Sequence, residues 1–333
     1  MNRTIPEIID LASAYYGSAV LFAALEVDAF TAVQQAGPSA TSEALAQQAG
    51  TDARGMRLLL DACVALGLLE KTDDVYANTP ASAMTLVSGA PYDLTRAIRY
   101  NRDVYPAWGR AVELVRTGNP VEAPEIHLGE NPERTRGFVM SMHGRALGIG
   151  RVVVPLLDLT GCRSLLDLAG GPGTYAVLLA QANPGLSCVT MDLPAVSHVA
   201  AELVAASNVA DRVTCRAGDY HTDTYDAAAY DAVTIFGALH QESPEQIVSI
   251  LKRAHTALRP GGKIFVLDMM TDATHTQPTF SALFAVNMAL TTTNGWVFSD
   301  EELKGWLAEA GFVNAHTRPV PPPMPHWLVS AEK

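Results

Sequence analysis

Three features of this chain have the residue types and spacing to do chemistry. They are a glycine turn, acids that close short apolar runs, and a histidine just beyond another such run. The turn is Gly170-Gly171-Pro172-Gly173, between the apolar run Leu165-Leu166-Asp167-Leu168-Ala169 and a helical stretch that opens Thr174-Tyr175-Ala176. Glycines let the backbone approach a ligand closely, and the helix start presents unpaired N–H groups to it. Gly171-x-Gly173-x-x-Ala176 also fits the dinucleotide fingerprint. The turn alone therefore leaves NAD and S-adenosylmethionine both open.

The acids narrow that choice. Asp192 closes the next apolar run, 19 residues after Gly173. A carboxylate there is placed to accept both ribose hydroxyls, and with Leu193-Pro194 behind it, it also suits a helix N-cap. Gly218-Asp219-Tyr220 follows the third run, offering an acceptor for an adenine amine and a ring beside the base. Arg259-Pro260-Gly261-Gly262-Lys263 turns the chain into a fifth run. Dinucleotide dehydrogenases do not ordinarily combine these features. His240 follows the fourth run in Phe236-Gly237-Ala238-Leu239-His240, and Asp268 closes the fifth, 28 residues later. An imidazole, which ordinarily titrates near pH 6.5, suits removal of a proton at neutral pH, and a carboxylate beside it can fix its tautomer.

Such residues need a scaffold that gathers strand ends at one edge. Residues 164–169, 187–192, 213–216, 232–236 and 263–268 read as short strands alternating with helices, among them 174–182 and 244–258. That rhythm predicts an α/β, Rossmann-like, mostly parallel sheet with helices on both faces, whose ligands sit at its carboxyl edge. Residues 1 to about 90 read differently. Helices over 42–49 and 56–66, stopped by Gly50 and Gly67, precede two short strands around Asp73-Asp74. That is a winged-helix pattern. The expected division is 1–95 for a mainly α winged-helix unit, 96–151 for a helical linker contributing to a substrate pocket, and 152–333 for the sheet domain. The linker is interrupted at Gly118-Asn119-Pro120 and Glu130-Asn131-Pro132, and a proline-rich loop is expected over 319–325.

With these elements in place, the run from Leu165 to Asp268 resembles class I methyltransferases that use S-adenosylmethionine. The whole chain resembles the small-molecule O-methyltransferases of the plant caffeate and bacterial polyketide type, which carry an N-terminal winged-helix dimerisation domain. Its marks are Asp167-Leu168-Ala169-Gly170-Gly171-Pro172-Gly173, Asp192-Leu193-Pro194, Gly218-Asp219-Tyr220, Leu239-His240, Leu258-Arg259-Pro260-Gly261-Gly262 and Glu309-Ala310-Gly311-Phe312. The resemblance implies a seven-stranded sheet and S-adenosyl-L-methionine as cofactor, with no metal. Asp192 falls at the ribose-binding acid and Asp219 at the adenine-contacting acid. Asp167, Gly170, Gly171, Gly173, Leu193, Gly218, Tyr220 and Phe236 complete the implied cofactor site. The general base falls on His240, with Asp268 as its flanking acid. Met140 and His143 before the sheet domain, and Asn287, Met288 and Trp296 after Asp268, are the candidate acceptor contacts.

The sequence departs from the plant pattern in three places. Val297 stands where a second acid flanks the histidine. Gln241-Glu242 replaces Asp-Trp, which removes an aromatic partner of the adenine. Phe236 replaces a lysine. The expected reaction is methyl transfer to a hydroxyl of an aromatic or polyketide-like metabolite. A C- or N-methyltransferase on the same scaffold, or a cofactor-binding regulator without activity, remains the alternative.

Bulk properties set the outer bounds. The net charge of −12 over 333 residues argues against nucleic acid and anionic membranes as partners. Of the winged-helix segment's second helix, Arg54 and Arg57 are offset by Asp52 and Asp61, so no basic face for a DNA groove is expected. A homodimer explains its apolar surface better, with the helix around 15–25 packing across a two-fold axis. Residues 12–25 carry no charge, yet Glu7 and Asp10 precede them and the run is shorter than a bilayer span, so a buried helix is expected there. Cys63, Cys162, Cys188 and Cys215 form no C-x-x-C pair and read as reduced core thiols. A cytoplasmic enzyme is the expectation.

Overall fold

The computed structural model describes residues 2–122, 131–321 and 324–333. Glu130 of the expected linker break and Pro322-Pro323 of the proline-rich loop lie outside the described residues. The chain divides into two compact units, 1–103 and 104–333.

The first unit opens with helices α1 (Ile5–Ser13) and α2 (Tyr15–Glu26), followed by α3 (Ala29–Ala36), α4 (Ser42–Ala49) and α5 (Ala53–Ala65). Thr41 and Asp52 cap α4 and α5 by accepting from the backbone N–H of Ala44 and Gly55, and Gly50 ends α4 in the left-handed region. Strands β1 (Leu69–Thr72) and β2 (Val75–Asn78) form the antiparallel wing around Asp73-Asp74, and Thr41 bridges Val75. Phe30, Leu45, Leu60 and Tyr76 fill the core between them. Helix α6 (Pro80–Thr85) follows, and α7 (Thr95–Trp108) leads into the second unit.

The expectation of a buried helix over 12–25 is not met. Only Ala24 and Leu25 of α2 are buried, α1 buries nothing, and Ile5, Ile9 and Tyr16 are each more than half exposed. Together the two helices span Ile5–Glu26, which by length and composition is long and apolar enough to cross a membrane. The uncharged run was a poor guide because α1 adds Ile5, Ile8, Ile9 and Leu11 to one apolar strip despite Glu7 and Asp10.

The second unit contains α8 (Ala111–Thr117), closed by left-handed Gly118, and α9 (Pro132–Val153), where Asn131 caps the helix and Pro132 starts it. The expected break at Asn131-Pro132 is therefore a helix start. Seven strands then form one sheet: β3 (Ser164–Leu168), β4 (Ser187–Asp192), β5 (Val213–Ala217), β6 (Tyr230–Phe236), β7 (Leu258–Asp268), β8 (Val313–Pro319) and β9 (Trp327–Glu332). Their order is β5-β4-β3-β6-β7-β9-β8, with β9 antiparallel to both neighbours and the others parallel. Helices α10 (Thr174–Ala182), α11 (Pro194–Ala205), α12 (Pro244–Ala257), α13 (Thr279–Thr291) and α14 (Asp300–Glu309) connect and cover it. The fold is thus the mixed α/β, mostly parallel seven-stranded sheet expected, preceded by a mainly α unit. The Pro260-Gly261-Gly262 turn proves to be a bulge inside β7, across which the pairing with β6 slips between Tyr230–Leu258 and Ala232–Lys263.

Two apolar cores cover the two faces of the sheet. Leu166, Leu168, Val233, Ile235, Ile264 and Val266 face α12 and α14, while Leu165, Ala232, Phe265 and Leu267 face the opposite way. This alternation is why the centres of β3, β6 and β7 read as largely apolar runs. It also leaves the carboxyl ends of β3, β4, β6 and β7 as the places where polar side chains gather.

Candidate active site

One polar residue interrupts the apolar centre of each of three neighbouring strands. Asp167 on β3 is in register with Thr190 on β4 and Thr234 on β6. Both hydroxyls donate to its carboxylate, Thr234 at 2.7 Å and Thr190 at 3.3 Å, so the buried acid is satisfied without a cation. Burial nevertheless pushes its carboxyl up to about 7. Gly170 packs directly over this layer. A Cβ there would collide with Thr190 Oγ1 and come within 2.6 Å of Asp167 Oδ2, so only glycine fits.

Of the turn Gly170–Gly173, only Gly171 is partly exposed. Gly171 has φ +55° and nothing stands within 4 Å of where its Cβ would be, which leaves backbone open to a ligand. Asp192 ends β4 beside it. One carboxylate oxygen accepts from Gly171 N–H at 2.8 Å and the other from Leu193 N–H at 2.7 Å, while Ser197 donates to its carbonyl. The N-cap reading of Asp192 is not met, because the cap of α11 is Leu193 and no side chain caps that helix; burial raises the Asp192 carboxyl against the two N–H bonds that hold it down.

At the end of β5, Asp219 accepts from His221 N–H at 2.8 Å. A Cβ on Gly218 would collide with Asp223 and touch Met191 Sδ at 3.0 Å. Tyr220 donates its hydroxyl to buried Glu242 at 2.6 Å, and His221 Nε2 lies 3.2 Å from the same oxygen. Glu242, noted in the sequence only as a missing tryptophan, is therefore the anchor of the Asp219-Tyr220-His221 loop. A loop with open backbone at Gly171 and acids at the ends of β4 and β5 suits an adenosine cofactor. The cradle of Gly170, Gly171, Gly173, Asp192, Leu193, Asp219 and Tyr220 fits S-adenosylmethionine, and what such a group supplies when bound is a methyl on an electrophilic sulfonium.

His240 sits on a short 3-10 turn after β6 and is 7% exposed. Its Nδ1 is 2.7 Å from Asp268 Oδ1, and its backbone N–H donates to Asp268 Oδ2 at 3.3 Å. Asp268, fully buried at the end of β7, also accepts from Met269 N–H at 2.8 Å. Trp296 holds the turn from the other side. Its backbone N–H donates to the His240 carbonyl and its indole N–H to the Glu242 carbonyl, both at 2.9 Å. The Phe284 ring meets the imidazole edge-on at 5.2 Å.

The acceptor candidates separate into groups. Met288 packs with Met269, Phe284 and Val297, so the position of the absent second acid is an apolar wall near His240. Asn287, one residue earlier on α13, accepts from Trp108 Nε1 at 2.8 Å. His143 on α9 pairs with Thr174 Oγ1 at 2.7 Å, at the first residue after the glycine turn. Met140 belongs elsewhere. It packs against the cluster of Val139, Val196 and Val199, on the side of α11 rather than with Met288. Phe236 stacks edge-on with Tyr175 at 4.9 Å within the core. Among the described residues, no group of three or more His, Cys, Asp or Glu could hold a metal ion.

Sequence reasoning missed Glu242, Thr190, Thr234, Trp108 and His326. The threonines carried a signal, since each is the lone polar residue in an otherwise apolar strand centre, 188–191 and 232–236. His326 carried none.

Fold and site define a methyltransferase that uses S-adenosylmethionine, and comparison with known proteins narrows the class. The O-methyltransferase domain family matches residues 120–313 and the O-methyltransferase dimerisation domain family matches residues 9–88. The chain belongs to the S-adenosylmethionine-dependent O-methyltransferases that act on small metabolites. It is 34% identical to the tetracenomycin polyketide synthesis 8-O-methyl transferase of Streptomyces glaucescens, over 95% of this chain and 94% of that one. It is 32% identical to the 3-hydroxy-5-methyl-1-naphthoate 3-O-methyltransferase of Streptomyces sahachiroi, over 93% and 90%. An N,N-dimethyltransferase of Streptomyces rimosus is 30% identical over 98% and 96%. Human N-acetylserotonin methyltransferase, solved in complex with S-adenosylmethionine, shares the fold with a TM-score of 0.90 at 24% identity, covering 100% of this chain and 98% of that one.

Proposed function

We propose that this enzyme methylates a hydroxyl of a small aromatic or polyketide-like metabolite, with His240 as the general base. The observation that carries this reading is the buried His240–Asp268 pair at the carboxyl edge of β6 and β7. With Asp268 accepting from Nδ1–H, the other ring nitrogen is left as a proton acceptor. An acceptor hydroxyl held there would give its proton to Nε2, and Asp268 would steady the imidazolium that results; S-adenosylmethionine, when bound, would supply the methyl, its carbon–sulfur bond breaking to leave the neutral thioether S-adenosylhomocysteine. Phe284, Met288 and Val297 supply a flat, apolar surface that excludes water from the attacking oxygen. The named activities of the two Streptomyces O-methyltransferases, on a polyketide and a naphthoate, support an aromatic acceptor. The experiment is turnover of labelled S-adenosylmethionine over a panel of phenols and naphthols, by wild type and His240→Ala. Unchanged turnover in the variant would overturn the base and leave positioning alone.

A second reading rests on Val297. Where the plant pattern has a carboxylate, this site has a buried aliphatic side chain, so the base has one acidic partner instead of two. An amine or an activated ring carbon needs less help from a base, and a relative named as an N,N-dimethyltransferase lies within the same range of identity. NMR of the product separates O- from N- and C-methylation. An absence of turnover with retained S-adenosylhomocysteine binding would point to a regulator. We also propose a homodimer formed through the N-terminal unit, and a cytoplasmic location.

A further inference from the structure

His326 immediately precedes β9, and its neighbour Trp327 is the register partner of Asp268. It therefore lies at the carboxyl edge of the sheet, one strand over from the acid that holds His240. It is 7% exposed. Its Nδ1 has no hydrogen-bond partner among the described residues. A buried polar atom left unmatched is destabilising, so its retention at a site edge calls for a ligand.

We propose that His326 is a substrate-positioning residue whose Nδ1 hydrogen-bonds a second oxygen of the acceptor, one other than the oxygen that is methylated. This inference rests on the reading of His240 and Asp268 as the acceptor end of the site. The class of acceptor selected is an aromatic ring system with two oxygens, one presented to His240 and one to His326. The electrostatics agree. Burial holds the His326 imidazole down at about 4, with Arg145 and His240 pushing the same way and Asp268 opposing. A neutral ring can donate or accept at Nδ1 according to its tautomer, so either a hydroxyl or a carbonyl oxygen satisfies it. His326 does not exchange a proton in the reaction and acts only by orienting the ring.

The test is binding, which does not depend on whether His240 is a base. Calorimetry on the full chain loaded with S-adenosylhomocysteine compares 1,8-dihydroxynaphthalene with 1-naphthol and 2,3-dihydroxynaphthalene with 2-naphthol. Wild type is expected to hold at least one diol about fivefold or more tighter than its mono-ol, as one hydrogen bond of roughly 1 kcal/mol gives. His326→Asn, whose amide overlies the Nδ1 position, is expected to keep that preference. His326→Gln, which moves the amide outward, and His326→Phe are expected to lose it, with mono-ol and S-adenosylhomocysteine binding unchanged. The proposal is overturned if wild type shows no diol preference, if Asn and Gln behave alike, or if diol and mono-ol weaken together. Loss of turnover in His240→Ala with the diol preference intact would support both readings. Retained turnover there would overturn the base alone.

Discussion

His240 and Asp268 are joined twice, side chain to side chain at 2.7 Å and backbone N–H to carboxylate at 3.3 Å. The acid thus fixes both the ring and the turn that carries it. Asp268→Asn keeps the shape but offers one acceptor and one donor, and it turns the preferred tautomer of His240 against its role. We expect His240→Ala and Asp268→Asn each to lower kcat by about 10²–10⁴-fold, the usual worth of general-base assistance. S-adenosylhomocysteine affinity should move less than threefold. Labelled-methyl turnover and calorimetry together check this, and a loss confined to cofactor binding would count against it.

Gly170 and Asp192 should fail differently. A methyl at Gly170 collides with Thr190 and presses on the Asp167 carboxylate, so Gly170→Ala is expected to lower Tm and cost about 1–3 kcal/mol in stability. Asp192→Ala removes a carboxylate placed for ribose hydroxyls. Charged hydrogen bonds of about 1.5–3 kcal/mol predict a 10–100-fold rise in the Kd of S-adenosylhomocysteine. Thermal melts with and without ligand separate the two.

Asp167 predicts a pH effect. Its carboxyl is raised to about 7 in the fold, above its ordinary value near 4, so the folded chain binds the extra proton across that window. The contribution is present at low pH and lost as pH rises through about 7. Cofactor-free Asp167→Asn should therefore gain stability relative to wild type between pH 5 and 8. Urea titrations at both pH values test this, and a constant difference between the proteins would refute it.

The exposed strip of α1 and α2 predicts association. Ile8→Glu with Tyr16→Glu should convert a sedimenting dimer to monomer while the melting transition stays cooperative. Sedimentation of both proteins at micromolar concentration checks this, and a wild type that sediments as monomer would remove the proposed homodimer.

Much of the catalytic unit was legible because strand length, glycine turns and strand-end acids are local. Asp192, Asp219, His240 and Asp268 all fall at strand ends that an apolar run announces. The contacts that complete the site are not local. Glu242 reaches Tyr220 across 22 positions, and Trp108 reaches Asn287 across 179. No periodicity marks such pairs. Met140 shows the opposite limit. Its place on α9 was readable, yet which neighbour it packs on depends on how α9 lies against α11. The apolar strip of α1 and α2 misled for a related reason. Hydrophobicity signals burial, but not against which surface.

The order of strands along the far edge of the sheet has a consequence for synthesis. Residues 327–332 form β9, which inserts between β7 and the earlier-made β8. While the polypeptide is still leaving the ribosome, the strand ending in Asp268 presents an open, hydrogen-bonding margin that its proper neighbour has not yet reached. The strand that carries Asp268 thus gains its outer neighbour only after β8 has been made, and a chain lacking residues 327–332 would expose a sticky edge along β7.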